Sequence, residues 1–465
     1  MDGVDPQALA RAIVGLTDWA QAFAIDDSPD PLRERLREHM GGPAKGLPVV
    51  SRALEGYQRA NFQLAIDRYL EHAGREAELI GLPMTHGYRV GLAELARGVV
   101  HGPWDREGAE EGPVEFEPVD VDELRIMCVA AGLWLIKDER EPLLLMLRRS
   151  DEGPHHAELG IEIMARQREI AERTLGEIER LMAEHNVYRG RILILSRSQW
   201  GGIGVEVQRL PKVTRERIVF PSGVLERIER HTKTFEEHVD ALRAAGRHLK
   251  RGLLLHGPPG TGKTLSVMYL STLMPGRTVL LLTGNTLGAI EPACEMAREL
   301  APSMLVLEDV DLVAENRMMG HPTSVLFELL NQMDGLQEDI DVVFVLTTNR
   351  PEIIEPALAS RPGRIDLAVE TPLPDSEGRS RLLDLYGEGL ELNLGDRATI
   401  ISATEGATPA FIREVLRRAS LAAAENGDAT RITDQLLVSA IEDLHLADDS
   451  LARSALGAPN AASND

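Results

Sequence analysis

The sequence contains few cysteines and few aromatic residues. Its two cysteines, Cys128 and Cys294, lie far apart in a chain of 465 residues and form no CxxC or Cys/His pattern. A disulfide framework is therefore disfavoured, a reducing compartment is expected, and both side chains are predicted to be small buried apolar residues. Aromatic residues make up 4% of the chain, so its cores must rely on Leu, Val, Ile and Ala.

Long apolar segments are also missing. No stretch of 18 apolar residues occurs, so no membrane span is expected. The stretch Met1 to Ile25 lacks the basic start and the apolar run of a signal peptide. With neither export nor anchoring indicated, we expect a cytoplasmic protein. The pair His155-His156 has no third metal ligand at useful spacing, and it is predicted to lie in a solvated loop.

Positive charge is scarce as well. The chain has 50 Lys and Arg residues against 74 Asp and Glu residues, which gives a net charge of -24 at pH 7. Such a surface repels the phosphate backbones of nucleic acids, so nucleic-acid partners are disfavoured. A small basic channel inside an acidic protein is the alternative that stays open.

The length and the changes of pattern along the chain predict several domains. A chain of 465 residues exceeds the size of one compact core. From residue 252 onward, five short apolar runs alternate with helical stretches, which predicts an α/β fold with a parallel five-stranded sheet. The predicted segments are a helical N-terminal domain (1–112), an α+β module (119–212), an α/β domain (213–372), a helical segment (373–446) and a disordered tail (447–465).

A glycine-rich segment follows the first of these five strands and precedes a helix. It comprises Gly257, Pro258, Pro259, Gly260, Thr261, Gly262, Lys263 and Thr264, which fit the pattern GxxxxGK[ST]. The glycines allow backbone N–H groups to surround a phosphate, and the start of the helix adds a positive dipole end. Lys263 is predicted to reach the β- and γ-phosphates, and the Thr264 hydroxyl is predicted to bind Mg²⁺. The segment therefore predicts a site for ATP with Mg²⁺.

Acidic residues end the apolar strand that begins at Met304. Glu308 is expected to bind the metal and Asp309 to polarise the attacking water, because phosphoryl transfer at such a site needs both functions. Asp311 lies two residues after Asp309, on the same side of an extended chain, and is the competing candidate for its role.

A polar residue and two arginines follow the next strands. Asn349 ends the apolar run 342–348, and an amide at the carboxyl edge of a parallel sheet can orient water against the γ-phosphate. Arg361 and Arg364 lie far in sequence from Lys263. Arginines of this kind stabilise phosphoryl charge in a neighbouring subunit, which requires an oligomer with the site at its interface.

Together these motifs resemble those of one family. The matching segments are GPPGTGKT (257–264), LEDVD (307–311), LNQMDGL (330–336), TTN (347–349) and SRPGRID (360–366). In kind and order they resemble the AAA subgroup of the AAA+ ATPases, which includes FtsH, the proteasomal ATPases and katanin-like proteins. The resemblance extends over residues 215–445.

The resemblance implies more than the motifs themselves. It implies a P-loop AAA+ domain with a helical lid (373–446), ATP and Mg²⁺ as ligands, and a homo-oligomeric ring of six or seven subunits. It also implies ATP-driven remodelling or translocation of a protein partner, which residues 1–212 would select. Most of the family has Asp before Glu where this chain has Glu308 before Asp309. That order, and the preceding α+β module, resemble the mitochondrial branch that moves the Rieske protein across the inner membrane.

Three features depart from the family pattern. Asp309 is one methylene shorter than the usual residue, so its backbone is expected to sit closer to the substrate. The region 283–290 lacks the aromatic of a substrate-threading pore loop, which leaves Leu287 or Ile290 as weak apolar contacts or, preferably, packing residues. The lid motif reads Thr408-Pro409-Ala410-Phe411 instead of Gly-Ala, so different adenine contacts are expected. No His-Glu-x-x-His zinc site follows, so no fused protease is expected.

Three functions remain open. The leading one is a ring-forming AAA ATPase that hydrolyses ATP and remodels or translocates a protein partner. The second is an ATP-gated assembly scaffold with slow hydrolysis, which the missing pore aromatic and the shorter Asp309 favour. The third is a nucleic-acid-directed AAA+ protein, which the net charge disfavours.

Overall fold

The chain divides into two units, and each is described by itself. The N-terminal unit comprises residues 1–187 with 198–204, and the C-terminal unit comprises residues 188–197 with 205–465. The computed structural model describes residues 31–82, 91–97, 111–138, 141–149, 159–197, 203–283, 286, 289–311, 331–333, 340–352 and 364–446.

The regular elements within these ranges are numbered in chain order. The helices are α1 (Pro31–Met40), α2 (Arg59–Leu70), α3 (Leu92–Arg97), α4 (Arg168–Glu184), α5 (Val224–Ala244), α6 (Lys263–Leu273), α7 (Ile290–Glu299), α8 (Ser376–Tyr386), α9 (Arg397–Ala403), α10 (Pro409–Glu425) and α11 (Asp434–Leu446). The strands are β1 (Val49–Leu54), β2 (Arg75–Gly81), β3 (Phe116–Val121), β4 (Leu124–Val129), β5 (Gly132–Asp138), β6 (Glu141–Arg149), β7 (Leu159–Ala165), β8 (Ile192–Arg197), β9 (Ile203–Gln208), β10 (Arg251–His256), β11 (Thr278–Thr283), β12 (Ser303–Glu308), β13 (Val342–Thr348), β14 (Leu367–Glu370), β15 (Glu391–Asn393) and β16 (Arg431–Thr433).

The N-terminal unit is built on an antiparallel sheet with the strand order β1-β7-β6-β5-β2. Alternate residues of its central strands belong to two different cores. Trp134 and Leu145 pack with α2 and α4, whereas Leu135 and Leu144 pack with α1 and α3. Because helices cover both faces, the central strands are apolar over most of their length instead of alternating with polar residues.

The same sheet corrects the prediction that residues 1–112 are helical. Strands β1 and β2 lie in that segment, and they pair with β7 and β5 of the predicted α+β module. In β1 only Leu54 is buried, and in β2 only Ile80 and Gly81 are buried. Because both are edge strands with little burial, they lack the apolar alternation from which a strand is recognised.

A two-stranded hairpin, β3–β4, carries exposed apolar side chains. Phe116, Leu124 and Met127 are 51%, 50% and 50% exposed. In the described ranges the other large apolar side chains exposed in this way are Leu373 and Leu421, so three of the five lie on this hairpin. The hairpin therefore concentrates apolar surface of the kind that marks interaction sites.

The C-terminal unit contains a sheet with the strand order β14-β10-β13-β12-β11-β8-β9. The five strands predicted after residue 252 lie side by side and are parallel. The prediction of five strands is nevertheless corrected to seven, because β8 pairs in parallel with β11 and β9 lies beyond β8. Because β8 and β9 lie close in sequence to the predicted α+β module, they were predicted to belong to it. In the structure β8 pairs instead with β11 of the parallel sheet.

The last described part of the C-terminal unit is mainly helical. Residues 376–446 form α8 to α11 and the short parallel pair β15–β16. Leu382, Phe411 and Ile441 belong to a core that this segment builds largely from its own side chains. The segment therefore has its own packing beside the parallel sheet.

Several expectations about individual residues can be compared with the structure. Cys128 and Cys294 are buried and form no disulfide in the described residues, which confirms the prediction, and burial raises the pKa of Cys128 to about 11. None of the helices in the described ranges is long and apolar enough to cross a bilayer. The His155-His156 pair and the predicted tail, 447–465, lie outside the described residues.

A buried ion network holds the amino-terminal edge of the parallel sheet. Arg277, just before β11, contacts Asp341 and Glu236 at 2.6 Å each through Nη2. Arg251, at the start of β10, lies 3.4 Å from Asp341 and stacks on Phe235 at 3.6 Å from the ring centroid. Burial, and then the charge of Arg277, lower the pKa of Arg251 to about 10. The two arginines therefore depend on the carboxylates of Asp341 and Glu236.

Asp341→Ala is expected to destabilise the parallel sheet by about 3–5 kcal/mol, because it leaves buried guanidinium groups without their carboxylate. Hydrogen exchange of the β10 and β13 amides, read by mass spectrometry, measures this loss locally. The control is Asp240→Ala, which removes a 92% exposed carboxylate paired with Arg243 on α5. Equal amide protection in the two variants would show that the network does not stabilise the sheet.

Candidate functional site

The glycine-rich loop between β10 and α6 has a backbone conformation that requires glycine. Gly257, Gly260 and Gly262 have φ values of 146°, 77° and 100°, which L side chains rarely adopt. A Cβ at Gly257 would also lie 2.5 Å from the carbonyl oxygen of Thr371. The hydroxyls of Thr261 and Thr371 are 2.9 Å apart. The loop is therefore packed closely against the residue that follows β14.

Lys263, the first residue of α6, turns its side chain back toward this loop. Its Nζ donates hydrogen bonds of 2.8 Å each to the carbonyl oxygens of Gly257 and Pro258. Burial lowers the pKa of Lys263, and the negative charges of Asp309 and Asp311 partly oppose that effect. The ammonium group therefore lies within electrostatic reach of the acidic residues that follow β12.

Glu308 is the last residue of β12. Its Oε1 is buried and has no hydrogen-bond partner among the residues that the structure describes. Carboxylate oxygens are the ligands that Mg²⁺ prefers, and a buried oxygen without a donor is free to bind a cation or water. This observation makes Glu308 a candidate metal ligand.

Asp311, which the sequence left as a competitor, is engaged elsewhere. Its Oδ1 accepts a 2.8 Å hydrogen bond from the hydroxyl of Thr348 and a 3.2 Å bond from the backbone N–H of Asn349. It is 4% exposed. Because these bonds fix Asp311 to the end of β13, Glu308 and Asp309 are the better candidates for the metal and the water.

Asn349 follows β13 and contacts the second acid directly. Its Nδ2 donates a 3.0 Å hydrogen bond to Oδ1 of Asp309. Strand β13 lies between β10 and β12, so the residues that follow these three strands meet at one edge. The structure thus brings Lys263, Asp309 and Asn349 together with Glu308, as the motif spacing predicts.

Of the two predicted arginines, only Arg364 can be compared with this cluster, and its backbone lies at the other end of β10. Arg361 lies outside the described residues. Arg364 is 8% exposed, and burial lowers its pKa. Its backbone contacts Gly252, where a Cβ would lie 2.0 Å from the Arg364 carbonyl oxygen. Since Gly252 is near the start of β10 and the loop follows the end of that strand, about 16 Å of extended chain separates the two.

Comparisons with known proteins agree with this geometry. Residues 253–373 match the model of the ATPase family associated with various cellular activities (AAA). A proteasome-activating nucleotidase of Thermococcus gammatolerans is 30% identical over 266 residues, which cover 54% of this chain and 66% of that protein. The ATP-dependent zinc metalloprotease FtsH 1 of Conexibacter woesei is 30% identical over 235 residues, which cover 47% of this chain and 35% of that protein. Residues 253–373 therefore form a domain of the AAA family of ATPases.

A domain of this family explains why the motifs occur in this order. The similarity is partial, because the chain spans less than two thirds of the length of either relative. What those proteins bind or assemble with is therefore a matter for proposal.

A cavity that the sequence does not predict lies beside the glycine-rich loop. It is an open cavity of about 250 Å³, a volume that includes space open to solvent, and its lining includes Ile218, Phe220, Gly262, Leu382 and Pro409. These residues come from the segment before α5, from the loop and from the helical segment. The short apolar run 218–220 ahead of a Pro-Ser-Gly turn was the only local signal, and it does not indicate which distant residues complete the cavity.

The segment that replaces the family's lid motif also contacts the loop. Thr408 caps α10 by accepting a 3.2 Å hydrogen bond from the N–H of Phe411. The N–H of Ala410 donates to the carbonyl oxygen of Gly260 at 3.3 Å. Of the two apolar pore-loop candidates, Ile290 is fully buried, which favours packing, and Leu287 lies outside the described residues.

Gly257→Ala is expected to abolish ATP binding, because the new Cβ would collide with the Thr371 carbonyl and displace the loop. Titration with a fluorescent ATP analogue measures the affinity. Gly246→Ala is the matched control: φ is 63° there, but no atom lies within 4 Å of a new Cβ. It should cost about 1 kcal/mol of stability and keep nucleotide affinity. Similar affinity in both variants would show that the close packing of the loop is unimportant.

Proposed function

We propose that this chain is an ATP-hydrolysing AAA ATPase that acts as a ring oligomer and remodels or translocates a protein partner. The observation that carries the proposal is the meeting of Lys263, Glu308, Asp309 and Asn349 beside the glycine-rich loop. A cation, two acids and an amide at one sheet edge are the groups that phosphoryl transfer to water requires.

The residues present fit a nucleotide with Mg²⁺. Lys263 Nζ now bonds to two loop carbonyls, and phosphate oxygens are stronger acceptors for an ammonium group. Glu308 offers a buried oxygen to which no described residue donates a hydrogen bond, and Thr264 is exposed in the first turn of α6. No group of three or more His, Cys, Asp or Glu side chains suited to a metal occurs in the described part of the chain. The metal would therefore be held by Thr264, Glu308 and phosphate oxygens, as Mg²⁺ usually is.

Each residue has a separate role in the proposed reaction. Mg²⁺, when bound, supplies Lewis-acid polarisation of the phosphoryl oxygens. Lys263 neutralises negative charge on the β- and γ-phosphates. Asp309 accepts a proton from the attacking water, and the Asn349 amide orients that water and the Asp309 carboxylate. Water attack breaks the bond between the γ-phosphorus and its bridging oxygen and yields ADP and phosphate.

The cavity beside the loop is the proposed place for the base. It is lined largely by apolar side chains, among them Phe220, Leu382 and Pro409, which suits a planar aromatic ring. Because the helical segment supplies part of the lining, bound nucleotide would connect that segment to the sheet. We therefore propose that residues 373–446 act as a lid.

The arginines are proposed to act between subunits. Arg364 lies at the far end of β10 from its own loop, so it does not reach the nucleotide of its own chain. Its burial favours Arg361 as the residue that reaches into the neighbouring site, with Arg364 supporting the segment that carries it. A site completed by a neighbour requires an oligomer with the site at its interface, and the family resemblance implies a ring of six or seven like subunits.

The partner is proposed to be a protein. A net charge of -24 opposes binding to nucleic acid. The exposed apolar residues Phe116, Leu124 and Met127 belong to the N-terminal unit, to which we assign partner selection. A cytoplasmic location completes the proposal. An ATP-gated scaffold is the second candidate, since the shorter Asp309 is compatible with slow hydrolysis.

Asp309→Asn is expected to bind ATP normally and to lower kcat by about 100-fold or more, because the amide accepts no proton from water. Lys263→Ala, in contrast, is expected to lose binding itself. Steady-state phosphate release and nucleotide titration separate the two effects. Unchanged turnover in Asp309→Asn would move the role of general base to Glu308 or Asp311. A low rate in the unchanged protein, with or without cell extract, would favour the scaffold.

Arg361→Ala is expected to be inactive alone and to regain activity when mixed with Lys263→Ala subunits. In a 1:1 mixture, roughly a quarter of the interfaces combine an intact loop with an intact arginine. ATP hydrolysis is measured before and after subunit exchange, and Arg364→Ala is tested in the same way. Activity equal to the sum of the separate variants would refute the action of the arginine between subunits.

A further inference from the structure

Asp309 has a backbone conformation that is rare for a residue with a side chain. Its φ is 51°, and among the described non-glycine residues only Asp122, in the turn of the β3–β4 hairpin, has a comparable value. The hairpin explains Asp122 because a tight turn needs positive φ. Asp309 instead follows a parallel strand, where no hairpin turn imposes it. Since this conformation costs free energy, other contacts must hold it.

Thr347, near the end of β13, provides such a contact. The N–H of Asp309 donates a 3.1 Å hydrogen bond to the Thr347 hydroxyl. The next amide, that of Val310, donates a 3.0 Å bond to the Thr347 carbonyl oxygen. Thr347 is 2% exposed, so water does not readily replace its hydroxyl as the acceptor. Without that hydroxyl, the turned backbone would leave the partly buried Asp309 amide without this hydrogen bond.

Asn349, which directly follows β13, also contacts Asp309. Thr347 lies in β13 and Asn349 directly follows that strand, and both side chains contact Asp309. Thr347 binds its backbone N–H, and Asn349 binds its carboxylate at 3.0 Å. Thr348, on the opposite face, bonds to Asp311 instead. One strand end therefore fixes the backbone and the side chain of Asp309 separately.

We propose that Thr347 is a positioning residue for ATP hydrolysis, whose hydroxyl keeps Asp309 in the left-handed conformation. The inference rests on the proposed role of Asp309 as general base and deepens it. An aspartate is one methylene shorter than the glutamate of most relatives, so its backbone must bring the carboxylate closer to the water. The left-handed turn at Asp309 meets that requirement. The hydrogen bond to the Thr347 hydroxyl stabilises the turn and so offsets part of its cost in free energy. Thr347 itself contacts no substrate.

The experiment compares three substitutions in the full chain. Thr347→Val removes the hydroxyl at nearly constant volume, and Thr347→Ser keeps it. The control is Thr232→Val, which removes an equally buried hydroxyl that bonds within α5 to the carbonyl oxygen of Ile228 at 2.9 Å. Initial rates of ATP hydrolysis give kcat and KM, and titration with a fluorescent ATP analogue gives the affinity. Rates are expressed per bound nucleotide, so that a loss of folded protein does not imitate the effect.

Thr347→Val is expected to lower kcat by about tenfold and to change KM and nucleotide affinity by less than about twofold. Thr347→Ser and Thr232→Val are expected to stay within about twofold of the unchanged protein in all three quantities. A structural role alone would instead reduce binding and stability together. A normal kcat in Thr347→Val, or an equal loss in Thr232→Val, would overturn the proposal.

A double substitution tests the reason for the effect. In an Asp309→Glu background the longer side chain has less need of the turn, so adding Thr347→Val is expected to lower kcat by less than about threefold. The same tenfold loss in both backgrounds would overturn the link between the turn and the length of the acid. Absence of ATP hydrolysis in the unchanged protein is a different result, because it would refute the proposed function before any variant is compared.

Discussion

Parallel pairing of buried strands is the constraint on which the nucleotide site depends. In the C-terminal unit β13 lies between β10 and β12, with His256 opposite Thr348 and Leu307 opposite Leu346. This register brings the ends of all three strands to one edge, although the segments are distant in sequence. Each strand is buried along most of its length, so a shift by one residue would move every side chain to the wrong face. Packing of the core therefore fixes the distances between the polar groups at the edge.

The two edges of this sheet differ in how their polar groups are satisfied. At the amino-terminal edge, the carboxylates of Asp341 and Glu236 compensate the charge of Arg277. At the carboxyl edge, Glu308 keeps a buried oxygen that has no partner among the described residues, and Asp309 keeps an unfavourable φ. Polar groups left incompletely satisfied at functional sites cost stability. The ion pairs of Arg277 at the other edge help the same sheet to tolerate that cost.

Much of the candidate site could be predicted because its signals are local. The glycine-rich loop, Glu308, Asp309 and Asn349 each follow an apolar strand, and a parallel sheet collects such ends at one edge. The competition between Asp309 and Asp311 could not be decided, since it depends on hydrogen bonds from β13. The proposed role of Thr347 could not be predicted either, because a threonine in an apolar strand is expected simply to be buried.

The fold was predicted well where strands are buried and poorly where they lie at an edge. The five parallel strands have continuous apolar runs, whereas β1 and β2 carry exposed polar residues over most of their length. Strand β8 was recognised as a strand but assigned to the wrong sheet, because pairing partners are set by three-dimensional packing that sequence order does not encode. The cavity beside the loop was missed for the same reason, as its lining comes from three separated segments.

The contact between Gly260 and Ala410 has a mechanical consequence. The two backbones are joined by a 3.3 Å hydrogen bond, and a Cβ at Gly260 would lie 2.9 Å from the Ala410 methyl group. The loop at Gly260 and the start of α10 at Ala410 are in direct contact. No gap between them can absorb a displacement of either one. Any rearrangement of the loop that accompanies loss of the terminal phosphate would push or pull directly on the first turn of α10. Because a helix is stiff along its axis, a small displacement of this first turn would be transmitted along the whole of α10.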